Sequence, residues 1–303
     1  MASKLFQASL DLVWRQWRAI GGAAAGESVT TQVDPEALCL ASLFFRDHEP
    51  RLWVVMTDWI RHGASLLSVQ RLKNLVKQFP AMGDGVKELA RVAWQEGKEA
   101  RWKSLLGSSR RVLEPRASTK PRSGGLTLTA PPALLLRLRT AFTVGVRSDV
   151  LAFLLGQPLR VSVATAAVSL GYSVPPVFRA LQDLCASSFV RSAEFPSAAE
   201  YWVDASQWYE VLGGTQAVAP WGFSREILTY ACAAFTLENN RKHQRSSEYA
   251  RANALRELAV QHEADLVRAG VVHQGVPRST SLDSWNEFHD ALAKQVVDGP
   301  SSV

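Results

Sequence analysis

The region 147–203 alternates short apolar stretches with residues that typically begin or end helices. Residues 149–155 are almost entirely apolar and Gly156 follows them, which predicts a short buried helix that stops at the glycine. Ser162 can cap a second helix, and Gly171 can end it because glycine adopts a left-handed backbone at little cost. The apolar residues of this second helix recur at helical spacing and are Val163, Ala166, Ala167 and Leu170.

A third helix is predicted directly after the turn Gly171-Tyr172-Ser173. Ser173 is placed to cap it, and prolines in the first turn lose no hydrogen bond there. The residues predicted to face the core are Val177, Leu181 and Leu184. The opposite face would then carry Pro175, Pro176, Phe178, Arg179 and Gln182.

Two strands are predicted beyond the third helix, at Phe189-Val190 and at residues 200–204, around a Pro-Ser turn. A helix pair followed by a hairpin is typical of a winged helix-turn-helix. The sequence therefore predicts this unit at residues 132–213.

The stretch resembles the winged helix-turn-helix transcriptional regulators of bacteria, in the manner of the arsenic-repressor-like and MarR-like families. The resemblance covers about a fifth of the chain and rests on residues 166–170, the Gly171 turn, the core positions of the third helix and Phe189-Val190. It implies that the third helix enters the major groove of DNA. The residues that would contact bases are Pro175, Phe178, Arg179 and Gln182. Ser173 and Arg191 would contact phosphates.

Two features of the same stretch favour a protein partner instead of DNA. The outer face of the third helix is partly apolar, and the wing carries Glu194 and Glu200 against Arg191. Acidic side chains repel phosphate. The alternative function is therefore a protein-interaction module, an antitoxin-like or scaffold component that uses the winged-helix fold to bind a partner.

The regions on either side also have helical patterns. Residues 1–106 are predicted to form a helical N-terminal domain, in which Asp34-Pro35 and Ser68 are typical helix starts. The helix that follows Ser68 belongs to a candidate degenerate helix-turn-helix, although such pairs are also the commonest unit of all-α domains. The basic residues predicted near its outer side are Arg71, Lys73 and Lys77.

Residues 214–272 are predicted to be helical, and residues 246–268 carry a broad apolar stripe. This stripe could pair two copies of the chain or cover the core of its own chain. From residue 273 onward, prolines and serines predict a C-terminal tail. The expected fold class is mainly α: a helical N-terminal domain, a central winged helix-turn-helix with a small β wing, and a helical C-terminal region.

Composition limits the class of protein. The chain has 303 residues, 47% of them hydrophobic, which is enough for a large core. No apolar run reaches membrane-spanning length, and the amino terminus lacks the apolar core of a secretion signal. We therefore expect a cytoplasmic protein without a membrane partner.

The formal net charge is +6, and the positive excess lies in residues 1–125. Residues 107–131 are rich in Ser, Pro, Gly and Arg, which predicts a linker that does not order itself. Its basic residues are Arg110, Arg111, Arg116, Lys120 and Arg122. They would add salt-dependent contacts to a DNA backbone, or only keep the linker solvated.

The sequence lacks the motifs of common enzymes. It contains no phosphate-binding GxxxxGK[ST] loop, no HExxH and no GxSxG. We therefore expect a protein that is not an enzyme and has no cofactor or metal. Core packing explains the ten tryptophans most simply. A small-effector pocket near Trp202, Trp208 and Tyr209 stays an open hypothesis.

Taken together, the sequence predicts a sequence-specific DNA-binding transcriptional regulator whose partner is double-stranded DNA. It would repress by occluding a promoter. As a homodimer, it would place two recognition helices about one DNA turn apart on an inverted repeat. The protein-interaction module remains the alternative.

Overall fold

Helices make up most of the chain in the computed structural model, which describes residues 3–23, 26–80, 82–107, 125–194, 199–214, 218–271 and 276–298. The first helices are α1 (Lys4–Ala19), α2 (Pro35–Phe45), α3 (Arg51–Gly63), α4 (Val69–Leu75) and α5 (Gly83–Gln95). The central elements are α6 (Leu134–Phe142), α7 (Val146–Leu155), β1 (Val161–Ser162), α8 (Val163–Leu170), α9 (Val174–Ala186), β2 (Arg191–Glu194), β3 (Ala199–Trp202) and α10 (Ser206–Leu212). The last helices are α11 (Ser224–Glu238), α12 (Arg241–Gln244), α13 (Glu248–Arg268) and α14 (Leu282–Asp298).

The helix starts predicted in the N-terminal region are confirmed. The Asp34 carboxylate accepts a hydrogen bond from the Ala37 N–H at 3.1 Å, and Pro35 opens α2. Ser68 Oγ accepts from the Arg71 N–H at 3.2 Å at the start of α4. Each of these side chains satisfies an amide that the first turn of a helix leaves without a partner.

The N-terminal and C-terminal helices share one hydrophobic core. Trp17 and Trp59 of the N-terminal helices and Trp285 of α14 are all fully buried in it. The indole N–H groups are satisfied, since Trp17 donates to Ser42 Oγ at 2.8 Å and Trp59 donates to the Ile20 carbonyl at 3.1 Å. We call this assembly of α1–α5 and α11–α14 the helical body. Regions 1–106 and 214–272, which the sequence treats as separate, thus bury their apolar surfaces together.

The prediction of a C-terminal tail from residue 273 is wrong for residues 282–298, which form α14 and pack along α1. Trp285, Leu292 and Val296 are buried and recur at seven- and four-residue intervals on one face of α14. The prolines and serines around this helix obscure that spacing in the sequence. Burial of a tryptophan and two aliphatic side chains stabilises the contact by several kcal/mol, at roughly 25 cal/mol per Å² of apolar surface.

The apolar stripe of α13 covers the core of its own chain, which is one of the two interpretations that the sequence left open. The buried residues of this helix are Ala252, Leu255, Ala259 and Leu266. They pack on α11 and α14 within the helical body. These four residues are therefore not available to a second copy of the chain, whereas Ala250 and Val267 of the same helix are exposed.

Between the two parts of the helical body lies the winged unit, which we define as residues 134–212. Its strands form an antiparallel sheet in the order β1-β3-β2, so the hairpin of β2 and β3 is joined to the strand before α8. The mainly α fold with a small β wing is confirmed. The first wing strand begins at Arg191, two residues later than Phe189, and the Pro-Ser turn lies outside the described residues.

The helix-turn-helix also has the predicted signals at its helix ends. Ser162 Oγ caps α8 by accepting from the Thr165 N–H at 3.1 Å. Gly171 ends α8 with φ +70°, in the left-handed region that favours glycine.

None of the described helices combines the length and the apolar character needed to cross a membrane.

Candidate nucleic-acid interface and its support

Helix α9 packs against the rest of the winged unit through the face that the sequence predicts. Val177, Leu181 and Leu184 are buried, and Ala180 joins them. Residues at these positions lie on one side of a helix, so the opposite side of α9 is left toward solvent.

The predicted base-contacting residues lie together on this outer face. Pro175, Arg179 and Gln182 are exposed, and the Phe178 side chain is 41% exposed. Arg179 and Gln182 are three residues apart, which puts their Cβ atoms about 5–6 Å from each other on the helix surface. Within the described part of the chain, no acidic side chain lies within ion-pair distance of Arg179. The structure therefore brings the four residues together on one accessible surface.

Ser173 occupies the N-cap position of α9, but its side chain makes no capping hydrogen bond. The reason is local. A capping oxygen accepts from the amide of the second or third helical residue, and these residues are Pro175 and Pro176, which have no N–H. The predicted N-cap position is therefore confirmed without a capping hydrogen bond from the side chain, and the Ser173 hydroxyl is exposed at the start of α9.

Two arginines flank Trp202 across the sheet. Arg191 of β2 pairs with Trp202 of β3. On the other side of β3, Val161 pairs with Tyr201, so Arg160 is opposite Trp202 and its guanidinium carbon lies 4.2 Å from the centre of the indole ring. Directly opposite residues of antiparallel strands share a face of the sheet. We call Arg160, Trp202 and Arg191 the wing row.

The wing row was only partly predicted. Arg191 was a candidate phosphate contact, whereas Arg160 has no signal in the sequence because its position depends on strand register. Acidic groups also lie near this surface. Asp204 is 3.9 Å from the Arg191 guanidinium, and Asp183 of α9 accepts from Arg147 Nε at 2.9 Å. The Arg147 pair offsets the negative charge that Asp183 would otherwise place beside Gln182.

The basic residues of the predicted linker, Arg110, Arg111, Arg116, Lys120 and Arg122, lie outside the described residues. The side chain of Glu194 in the wing lies outside them as well. Among the described residues, no three His, Cys, Asp or Glu side chains gather as a metal site requires.

The prediction that Arg71 lies near the outer side of α4 is wrong, because Arg71 is fully buried. It donates from Nη1 to Asp34 Oδ1 and to Glu36 Oε2, both at 2.6 Å, and from Nε to the Leu170 carbonyl at 2.6 Å. Lys77 is exposed and Lys73 is half-buried. Arg71 thus joins carboxylates of the helical body to the end of α8 in the winged unit.

Arg139 makes a second buried connection between the helical body and the winged unit. It donates to Asp149 from Nε at 2.7 Å and from Nη2 at 2.8 Å, and to Glu36 from Nη1 at 2.6 Å and from Nη2 at 3.2 Å. Its remaining N–H reaches the Leu66 carbonyl at 2.9 Å. All five N–H groups of the guanidinium therefore have acceptors.

We call Asp34, Glu36, Arg71, Arg139 and Asp149 the buried charge network. All five residues are at most 4% exposed. The three carboxylates outnumber the two guanidiniums by one negative charge. The acceptors are satisfied by further donors, namely the Ser68 N–H to Glu36 at 2.6 Å, the Ala37 N–H to Asp34 at 3.1 Å and the Tyr172 hydroxyl to Asp149 at 2.8 Å.

Burial and neighbouring charges shift the pKa values of Tyr172 and Arg71. Burial and the charge of Asp149 raise the pKa of Tyr172, which keeps its hydroxyl protonated as a donor. Burial acts to lower the pKa of Arg71, but the charges of Asp34 and Glu36 outweigh it and raise this pKa. A buried guanidinium with carboxylate partners thus stays charged.

Three further contacts hold the helix-turn-helix against the helical body. The Asn74 amide donates to the Gly171 carbonyl at 3.2 Å, and Arg225 donates to the Val168 carbonyl at 3.0 Å. A Cβ atom added at Gly171 would lie 2.5 Å from Leu75 Cδ2, so α4 packs directly on the backbone of the turn. The turn that precedes α9 is therefore fixed relative to the helical body.

We expect part of the stability of the fold to disappear in acid through Asp34. Burial acts to raise the pKa of Asp34, but the charge and hydrogen bonds of Arg71 lower it below its usual value of 3.8. A carboxylate with a lowered pKa stabilises the folded state fully above the pKa of the unfolded chain, and this contribution is lost as the pH falls through the folded-state pKa.

The measurement is the free energy of unfolding by urea at pH 7 and at pH 3 for the native chain and for Asp34→Asn, which keeps a capping oxygen. The difference between the two proteins should narrow at the lower pH, because Asp34 is protonated in the unfolded chain at a higher pH than in the folded one. Asp84→Asn is the control, because Asp84 is an exposed carboxylate and its effect should be small at both values. A constant difference for Asp34→Asn would contradict the expectation.

Comparison of the chain with protein-family models, with curated proteins and with solved structures finds no match. The geometry of α9, the wing row and the contacts that hold them are therefore the features that bear on function.

Proposed function

We propose that the protein is a sequence-specific DNA-binding regulator that inserts α9 into the major groove of double-stranded DNA. The observation that carries this proposal is the outer face of α9, where Pro175, Phe178, Arg179 and Gln182 are accessible together. Arg179, which has no acidic partner among the described residues, is the residue type that most often contacts guanine. An α-helix with its side chains is about 10–12 Å across, which suits a groove roughly 12 Å wide.

Each of the four predicted base-contacting residues of α9 has a chemical role in this proposal. Arg179 donates two hydrogen bonds to the O6 and N7 atoms of guanine. Gln182 donates from Nε2 to N7 of adenine and accepts at Oε1 from its N6 amino group. Their spacing suits neighbouring base pairs, because bases stack about 3.4 Å apart on each strand. Phe178 and Pro175 contact thymine methyl groups. These contacts supply the sequence preference.

The backbone of the duplex would be held on either side of α9. Ser173 donates its free hydroxyl to a phosphate, and the arginines of the wing row bind phosphates near the hairpin. Such contacts position the protein without reading sequence. A protein held in this way on a promoter excludes the transcription machinery, so we propose that it acts as a repressor.

Salt dependence tests this proposal. We expect the affinity for a random-sequence duplex of 30 base pairs, measured by fluorescence anisotropy, to fall about 100-fold between 50 and 200 mM salt, as roughly four neutralised phosphates would require. Changing both Arg160 and Arg191 to alanine should reduce the slope of log affinity against log salt by about 2. Arg241→Ala, which alters an exposed arginine of α12, is the matched control and should leave the slope unchanged.

A second candidate function is the protein-interaction module. It is favoured by two exposed aromatic rings near the carboxyl end of α9, Phe142 and Phe189, which lie 6.2 Å apart between centres and both contact Trp208. Exposed aromatic side chains in contact are typical of protein interfaces. Absence of duplex binding at 50 mM salt, together with a stable protein complex recovered from cells, would replace the first proposal by this one.

A further inference from the structure

A cleft of about 100 Å³ lies in the helical body where α1, α11, α13 and α14 meet. One part of its wall is apolar and includes Leu12, Ile227 and Val296. Another part is polar and includes Arg15, Thr31 and Ser224. This cleft is distinct from the region of Trp202, Trp208 and Tyr209, where Trp208 is buried among aromatic rings and Trp202 stacks under Arg160.

A buried hydrogen-bond donor without an acceptor lies in the polar part of the wall. Arg15 donates from Nη1 to the Val297 carbonyl at 2.9 Å, but its buried Nε has no acceptor among the described residues. Gln16, the next residue of α1, accepts from Ser224 Oγ at 3.4 Å but is not part of the cleft wall. Buried donors such as Arg15 Nε usually have partners.

The start of α11 adds to the same end of the cleft. This helix has 15 residues, and its N-cap residue Phe223 provides no side-chain hydrogen bond to the first turn. The amides of the first turn and the helix dipole favour negative charge there. Glu226 of the first turn is one carboxylate near these amides, but it is paired with Arg225 and is not part of the cleft wall. Among the described residues that line the cleft, Arg15 is the charged one.

We propose that this cleft binds a short-chain monocarboxylate. The carboxylate accepts hydrogen bonds from Arg15 and from the start of α11, and the alkyl chain lies against Leu12, Ile227 and Val296. The volume supports a ligand slightly smaller than benzene, which fills an apolar cavity of about 150 Å³. Propionate and butyrate fit this description.

Trp221 forms part of the cleft wall and provides an optical signal. Its backbone N–H donates to the Gly156 carbonyl at 2.9 Å, and its ring centre lies 5.3 Å from that of Phe153 in α7. A ligand in the cleft would thus contact the chain segment that connects the winged unit to α11, and would alter the fluorescence of Trp221.

The test is thermal unfolding of the full chain with sodium butyrate, against sodium chloride at equal ionic strength and against neutral butyramide. At about ten times the dissociation constant, butyrate should raise the Tm by about 2–3 °C, and the two comparison compounds should not. Arg15→Gln should abolish this rise, and Arg15→Lys, which keeps the charge without Nε, should reduce it. Arg18→Gln is the matched control, because Arg18 lies on the same helix outside the cleft wall.

The increment that butyrate causes is compared with each variant's own Tm, so a loss of basal stability does not mimic a loss of binding. Titration of tryptophan fluorescence with butyrate should saturate in the native chain. An equal rise with butyramide or chloride, an unchanged rise in Arg15→Gln, or no effect of butyrate on Tm and fluorescence would overturn the proposal. None of these results depends on whether the protein binds DNA.

Discussion

Replacing Arg139 by methionine is expected to lower the free energy of unfolding by about 3–5 kcal/mol, the usual cost of removing one partner from a buried ion pair. Methionine keeps much of the side-chain volume but none of the five N–H donors. Asp149 would then stay buried with the Tyr172 hydroxyl as its remaining side-chain donor, and Glu36 would keep only Arg71 and the Ser68 N–H. The free energy of unfolding falls because the three buried carboxylates would then have the Arg71 guanidinium alone to balance their charge.

Urea unfolding at pH 7 measures this loss, and Arg137→Met is the matched control on the same helix. Arg137 is half-buried and makes a single hydrogen bond, to the Leu212 carbonyl at 2.8 Å, so its replacement should cost about 1 kcal/mol. Adding Asp149→Asn to Arg139→Met should restore part of the stability, because it removes the unpaired charge. Equal losses for the two arginines, or no recovery in the double variant, would show that the charge network is not what stabilises this contact.

Replacing Arg179 by glutamate is expected to weaken binding to the preferred duplex by about 100-fold or more. Loss of a bidentate guanine contact costs about 1–3 kcal/mol, and the introduced carboxylate adds repulsion from the phosphates. Arg179→Ala should show the first effect without the second. It should also relax the base preference at one position of the site.

The measurement is selection of bound duplexes from a random pool, followed by anisotropy titration of the selected sequence with each variant. Arg241→Ala serves again as the control and should keep both the affinity and the preference. If Arg179→Glu binds the selected duplex as tightly as the native chain, α9 does not read DNA through this residue. A duplex preference that is unchanged in Arg179→Ala leads to the same conclusion.

The sequence predicted the winged unit because its signals are local. Ser162, Gly171 and the apolar spacing of α8 and α9 act within one or two helical turns, and the structure has each of them in the expected place. The free Ser173 hydroxyl was also predictable, since Pro175 and Pro176 have no amide to donate. The position of Arg160 could not be predicted in this way, because its place beside Trp202 depends on the pairing of β1 with β3.

The buried charge network could not be located from local patterns. Glu36 and Arg139 are 103 residues apart, and Arg71 is 99 residues from the Leu170 carbonyl that it binds. Arg139 does directly follow the mostly apolar segment Leu134–Leu138, and Asp149 directly precedes the apolar residues 150–155 of α7. A charge beside an apolar segment indicates burial with a partner, but it does not identify the partner. The same limit explains why α14 and its contact with α1 were missed.

The fixed turn at Gly171 has a consequence for any duplex that α9 engages. Since Asn74 and Leu75 hold this turn against the helical body, α9 cannot rotate relative to the helical body when it approaches DNA. The protein would bind the duplex in one fixed orientation, with the helical body over the base pairs beyond the amino end of α9. The length of DNA that the protein covers would therefore be asymmetric about α9. It would be determined by the shape of the helical body more than by the few base pairs that α9 contacts.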